Sequence, residues 1–259
     1  MGASGRRVAI QSLEIVPKTS ILSAVELEGQ FRNVGRERYH HKHPFHLLMH
    51  EGRLSRGQMQ AWALNRYYYQ SRIPIKDAII LSRSDDPDFR RAWRKRVVDH
   101  DGGSQQEGGI ERWIRLAEAT GLDRERVMRC NEVLPSIRYA VDAYLDLVKH
   151  RSFLEAVASS LTELFSRDLT ALRMDRLRQH YPWLSGALDY FTARLQQAPE
   201  DAQLALQWVT EHPQTRSEQE LAIAALQAKC DMLWAQLDAL YFAYVQPGWP
   251  PPGAFRMEA

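Results

Sequence analysis

Apolar side chains recur along this chain at spacings of three and four residues, and the strict alternation of apolar and polar that marks a half-buried strand hardly occurs. The pattern predicts an all-α protein. Ser55 with Gln58, Ser152 with Glu155, and Ser217 with Glu220 have capping-box spacing, in which hydroxyl and carboxyl or amide satisfy two of the free N–H groups at a helix start. Asp86-Pro87 reads as an N-cap followed by a first-turn proline. Further boundaries fall at Gly35, from Asp101-Gly102-Gly103-Ser104 through Gly108-Gly109, and at Gly121, Pro135, Pro182, Ala198-Pro199 and Pro213. The predicted helices therefore run near 22–34, 55–83, 87–100, 110–120, 123–133, 136–150, 152–178, 184–197, 200–211 and 217–245. Pro74 lies inside the second and has no N–H for the helical ladder, so a kink or a break is expected there.

Residues 1–20 lack the apolar core of a secretory signal and read as a loose polar leader. The proline-rich segment 247–259 cannot continue a helix and is expected to wrap on the surface. Between them, no linker, composition shift or repeat divides 21–246, which reads as a single helical bundle domain.

Composition then restricts the partners. No apolar run approaches the ~20 residues a membrane span requires, so no membrane partner is expected. A net charge of +2 is too small for the basic excess of a nucleic-acid-binding protein. Cys130 and Cys230 are the only cysteines and form no CxxC pair, which excludes a disulfide scaffold or a cysteine-rich zinc site. The cytoplasm is the default compartment.

Against this background, certain polar residues stand where core is expected. Arg66 with Gln70, Arg96 with His100, and Tyr190 with Arg194 are pairs four residues apart, each sharing one helix face. They are either exposed pairs or three contributions to one cavity. Lys229 lies on the apolar stripe Ala222, Leu226, Leu233 and Leu240, so it is expected to be buried. Its ammonium either snorkels to water or faces an internal anion. The stretch Tyr39-His40-His41-Lys42-His43-Pro44-Phe45-His46, with His50 beyond, is dense in histidine. A metal centre would need further ligands from neighbouring helices and no complete di-iron pattern is evident, so no metal ligand is assigned. His41, His43 and His50 read as surface or capping histidines. Asp101 to Gly109 lacks the GKS or GKT ending of a phosphate-binding loop and reads as a pocket-flanking loop or a plain connection.

Several blocks carry a resemblance. Tyr39-His40 with His43-Pro44-Phe45-His46, Asn65-Arg66-Tyr67-Tyr68-Tyr69-Gln70, Ile73-Pro74-Ile75-Lys76-Asp77, Asp99-His100-Asp101-Gly102 and Ser159-Ser160-Leu161-Thr162-Glu163-Leu164-Phe165 resemble the pyrroloquinoline-quinone synthase family. So do His180-Tyr181-Pro182-Trp183, Tyr190 to Arg194, and Lys229-Cys230-Asp231-Met232-Leu233-Trp234. The likeness runs in one order from about Leu27 to Tyr244. It implies a compact bundle of the heme oxygenase-like fold, usually a homodimer, acting on a small tricarboxylated bicyclic precursor. The family closes a ring in that precursor and oxidises it with molecular oxygen, releasing hydrogen peroxide, without metal or organic cofactor; pyrroloquinoline quinone is the product. By resemblance, Tyr39, His40, Arg66, Gln70, Lys76, Arg96, Tyr144, Glu163 and Arg173 belong to the substrate shell, and His100, Tyr190, Arg194 and Lys229 to the reacting centre. His100 is expected to act as a general base with a pKa suited to neutral pH.

One departure stands out. After Phe165 the family commonly shows Ala-Pro-x-Ile-His, whereas this chain reads Ser166-Arg167-Asp168-Leu169-Thr170. Thr170 thus takes the place of the usual active-site histidine, and no catalytic role is carried onto it. A heme or di-iron oxygenase and a noncatalytic quinone-binding protein are the competing readings.

Overall fold

A computed structural model of the chain describes residues 20–257, so the leader lies almost wholly outside the described residues. Among these residues the protein is helical, with one isolated bridge between Gly103 and Gln106 in place of any strand. The helices are α1 (Ala24–Arg38), α2 (Pro44–His50), α3 (Arg56–Gln70), α4 (Ile73–Ser82), α5 (Pro87–Asp101), α6 (Gly109–Ala119), α7 (Arg124–Arg129), α8 (Pro135–His150), α9 (Phe153–Ala158), α10 (Ser166–His180), α11 (Asp189–Glu211) and α12 (Arg216–Tyr244). None is long and apolar enough to cross a membrane.

Local chemistry accounts for most boundaries. The boxes of Ser55 with Gln58 and Ser152 with Glu155 form as expected, and Asp86 accepts from the N–H of Asp88. A box that sequence reading missed, Ser23 with Glu26, starts α1. Pro74 produces a break: α3 stops at Gln70, and α4 takes the proline into its first turn, where no N–H is needed. The box expected at Ser217 and Glu220 is displaced by two residues. Thr215, extended at φ −135° and ψ 156°, is the true cap with Glu218 as its partner, which leaves Ser217 inside the first turn.

Two expected boundaries fail in opposite ways. The helices expected at 184–197 and 200–211 are joined into α11, with Pro199 in its interior, while Pro182–Ala187 forms a separate 3-10 turn. Proline removes one ladder hydrogen bond. Burial of Gln197, Ala198, Asp201 and Ala202, with an ion pair from Arg194 to Asp201 across the proline, holds the helix together. The long helix expected at 152–178 is instead interrupted by a 3-10 segment, Ser159–Phe165, between α9 and α10. Segment 123–133 shortens to α7 and ends at Cys130, whose φ of 55° closes the turn. An unforeseen 3-10 turn, His40–Lys42, leads into α2, where His43 accepts from the N–H of Phe45.

The core gathers around α12, which packs against α1, α8, α9 and the 3-10 segment. Trp62 and Trp113 meet edge to face with ring centroids 5.1 Å apart. The Phe165 ring lies directly on Gly35 of α1, where any side chain would collide with it, and this contact seats the 3-10 segment. Much of the tail after Tyr244 is exposed, but Phe255 is buried: its N–H donates to the Glu132 carbonyl, and its own carbonyl accepts from the Tyr244 hydroxyl.

Candidate active site

The pairs spaced four apart converge. A cavity of about 100 Å³ lies where α3, α4, α5, α8, α10 and α11 face the Ser159–Phe165 segment. α3 contributes Arg66 and Gln70, α4 Lys76, α5 Arg96 and His100, and α8 Tyr144. Tyr39 and His40 enter ahead of α2, Glu163 from the 3-10 segment, Arg173 from α10, and Tyr190 with Arg194 from α11. Thr170 also lines the wall, among Ser160, Thr162 and Ser166. Every residue that the resemblance assigned to the substrate shell or the reacting centre is therefore here except Lys229, which stands one layer behind.

Lys229 is 1% exposed, and among the described residues its Nζ has no hydrogen-bond partner. The ammonium lies 3.4 Å from the centroid of the Tyr144 ring and 4.3 Å from that of Tyr69, and both rings line the cavity. Burial, followed by the charges of Arg66 and Lys76, holds its pKa well below the usual lysine value. The snorkelling alternative is excluded by this burial. The lysine reaches the cavity through aromatic faces rather than by direct contact.

One wall is a network of buried ions. Arg96 lies 2.7 Å from Glu163, 3.2 Å from Asp77 and 3.9 Å from Asp201, with Trp93 stacked against its guanidinium. Arg194 pairs with Glu163 at 3.2 Å and Asp201 at 3.3 Å. Lys76 donates to Asp77 at 2.6 Å and to Ser160 at 3.1 Å. Burial pushes Asp77 upward, but Lys76 and Arg96 outweigh it and hold the carboxyl below its ordinary value. Asp201 goes the other way: burial and then the charge of Glu163 raise it to about 6. Asp77 and Asp201, which organise the cations, were not found by sequence reasoning. The signal available for Asp201 was its seven-residue spacing from Arg194, about two helical turns, and the expected break at Pro199 concealed it.

The opposite wall carries charge without neutralisation. Arg66 stacks on Tyr69 at 4.1 Å and Arg173 lies over the His46 ring, and among the described residues neither has a carboxylate within ion-pair distance. Burial, reinforced by Arg66, lowers the Arg173 pKa to about 10, which still leaves a cation at neutral pH.

Between the walls sits His100. Its Nδ1 donates to the Arg96 carbonyl at 2.9 Å, so the proton of the neutral ring resides there and Nε2 keeps its lone pair. Burial, then the Arg194 charge, lowers its pKa to about 4, below the near-neutral value expected from the sequence. At neutral pH the ring is uncharged, the form in which it accepts a proton. Tyr190 packs edge to face on Trp113, and its hydroxyl donates to Gln70 at 3.0 Å.

The histidine-rich stretch serves the fold and the cavity wall. His43 caps α2, and His50 is buried rather than at the surface. No group of three or more histidine, cysteine or acidic side chains in metal-holding arrangement occurs among the described residues.

Comparison with known proteins identifies the fold and the family. A solved Shewanella denitrificans domain with a heme oxygenase-like fold is similar at a TM-score of 0.69, covering 92% of this chain and all of the other at 14% identity. A pyrroloquinoline-quinone synthase of Acidiphilium cryptum is 55% identical over 92% of this chain and 97% of its own. One from Rhizobium meliloti is 56% identical over 86% and 87%. Residues 29–239 match the TENA/THI-4/PQQC family, and the chain belongs to that family and, within it, to the pyrroloquinoline-quinone synthases.

Proposed function

We propose that the protein performs ring closure and oxygen-dependent oxidation of a tricarboxylated bicyclic precursor, yielding pyrroloquinoline quinone and hydrogen peroxide. The observation that carries this reading is the pair Arg66 and Arg173, two guanidiniums lining one cavity without carboxylate partners. Guanidinium groups match carboxylates in a two-pronged geometry, so the substrate supplies the charge this wall lacks. Tyr39, His40, Gln70, Lys76, Tyr144 and Glu163 complete the binding shell, with Arg96 held rigid by its own carboxylates.

His100 is the general base. Its Nε2 takes a C–H or N–H proton from the bound molecule, and the pKa rises as the polyanion enters. The electron-rich anion left behind passes two electrons to dioxygen. Each such step oxidises the substrate by two electrons, and two protons complete hydrogen peroxide. Arg194 and the Tyr190 hydroxyl stabilise the negative charge that develops on oxygen, donors of a kind worth roughly 3 kcal/mol each. Lys229 stands behind Tyr69 and Tyr144, where the charge of a bound polyanion favours its protonated form.

No metal or organic cofactor takes part in this scheme, since the electrons pass directly between substrate and oxygen. The two unpaired cysteines suit a cytoplasmic enzyme. A homodimer is the proposed assembly, for which Tyr139, 82% exposed on α8, supplies apolar surface. The deciding experiment incubates purified protein with precursor anaerobically and then admits air. Oxygen uptake with quinone and peroxide formation is expected. Binding without oxygen consumption would leave only a quinone-binding protein, and stoichiometric iron or a Soret band would favour the oxygenase reading.

A further inference from the structure

His46 is buried behind the cavity wall, carries no role from the resemblance, and has three polar neighbours whose chemistry leaves little choice. Arg173 can only donate, and its Nη2 lies 3.0 Å from His46 Nε2 and 3.2 Å from Nδ1. The backbone carbonyl of His40 can only accept, and it lies 3.0 Å from His46 Nδ1. The neutral tautomer that satisfies the carbonyl carries its proton on Nδ1, while the Arg173 guanidinium, nearly equidistant from the two ring nitrogens, lies over the ring face. The reverse tautomer would set the Nδ1 lone pair against the lone pairs of that carbonyl.

The consequence passes to His40. Its Nδ1 stands 3.2 Å from the same protonated His46 Nδ1, so it must present a lone pair there. The ring proton of His40 then resides on Nε2, the nitrogen left for the cavity that His40 lines. Burial lowers both imidazoles well below the usual histidine value, in keeping with one proton per ring.

We propose that His46 is a positioning residue that fixes His40 as an N–H donor toward the bound substrate. The cavity thus holds two neutral histidines locked in opposite tautomers. The Arg96 carbonyl keeps the His100 proton on Nδ1 and frees Nε2 as a base, while His46 keeps the His40 proton on Nε2 as a donor to a substrate oxygen. Two chemically identical rings are given different tasks by backbone carbonyls.

The role in catalysis rests on the oxidase reading, whereas the tautomer does not, so the test separates them. Nitrogen-15 NMR of histidine rings in the full-length protein without substrate reads which nitrogen carries the proton, with His40→Gln used to assign the signal. The wild type is expected to give the Nε2–H pattern for His40. His46→Leu is expected to lose it, to an Nδ1–H form or a mixture, and His46→Asn to retain it, because the amide donates from nearly the same place. With precursor, His46→Leu is expected to raise KM roughly tenfold or more, as loss of a hydrogen bond to a charged group does, and His46→Asn to restore most of it. An Nδ1–H pattern for His40 in the wild type overturns the proposal, as does an unchanged Nε2–H pattern in His46→Leu. If no variant and no wild type forms quinone, the oxidase reading fails while the tautomer assignment is still decided by the spectra.

Discussion

Arg66 and Arg96 bring the same group to the same cavity, yet their neighbours give them different work. Arg96 neutralises Asp77 and Glu163, both inside the protein, so its removal strands buried carboxylates. Arg66 stacks on the Tyr69 face and has no carboxylate partner among the described residues, so its removal strands no buried carboxylate. Arg96→Met is therefore expected to lower stability by roughly 3–5 kcal/mol, the usual result of breaking a buried pair on one side. Arg66→Met should stay within about 1 kcal/mol of wild type in denaturant unfolding while weakening precursor binding on the order of 10- to 100-fold. Comparable destabilisation by both changes would remove the division between structural and substrate-facing cations. Lys229 was legible because a lysine on an apolar helix stripe is conspicuous, and Arg66, Arg96 and Arg194 because each shares a helix face with a second polar residue four positions away, whereas Lys76 and Arg173 came only with the family resemblance. Their carboxylate partners stayed hidden: Asp77 and Asp201 occur at spacings that an ordinary exposed helix face also shows, and only tertiary approach of α4, α5 and α11 reveals the pairing.

Helix starts were legible at Ser55 and Ser152, where the cap and its returning side chain stand three residues apart, although the same spacing at Ser23 and Glu26 passed unnoticed. At the head of α12 two frames compete, Thr215 with Glu218 and Ser217 with Glu220, and their spacing is identical. The structure decides for the first, and Glu220 pairs instead with Arg216 at 3.0 Å. Thr215→Ala is accordingly expected to lower stability by about 1 kcal/mol, and Ser217→Ala by no more than about 0.5 kcal/mol, in thermal or denaturant unfolding. The reverse order would restore the sequence-based boundary. Pro199 misled for a different reason. A local rule places a helix end before proline, but in α11 the buried flank and the Arg194–Asp201 pair span the gap, so tertiary contacts outweigh one missing hydrogen bond. The 3-10 segment at Ser159–Phe165 has no cap signature at all; it exists because Phe165 packs on Gly35 and Glu163 is drawn between Arg96 and Arg194.

At the scale of the whole molecule, the bundle buries histidines that stay neutral, and this makes its stability depend on pH. His100 and His50 are each lowered to about 4 by burial first, and His40 and His46 are lowered well below the ordinary 6.5 for the same reason. Above pH 6.5 these rings are neutral in both folded and unfolded chains and contribute no difference. As pH falls below 6.5 the unfolded chain takes up protons that the folded chain refuses, so stability declines until the folded pKa is reached. For His100 alone the full effect is on the order of 3 kcal/mol. Asp201, raised to about 6, works in the opposite sense, because between pH 6 and 3.8 the folded chain holds the extra proton. Five lowered histidines, His43 among them, outweigh two raised carboxyls, Asp201 and Asp101. Urea unfolding at pH 7, 6 and 5 is therefore expected to show falling stability, and His100→Gln should reduce the slope by up to one proton, about 1.4 kcal/mol per pH unit. Bound quinone product changes the balance again, since its carboxylates draw the nearby imidazoles back toward protonation and binding itself adds stability. The acid loss should shrink when product is present. Stability that holds steady or rises from pH 7 to 5 in the unliganded protein would mean that these histidines are charged in the folded state, and His100 would then have no lone pair with which to begin the reaction.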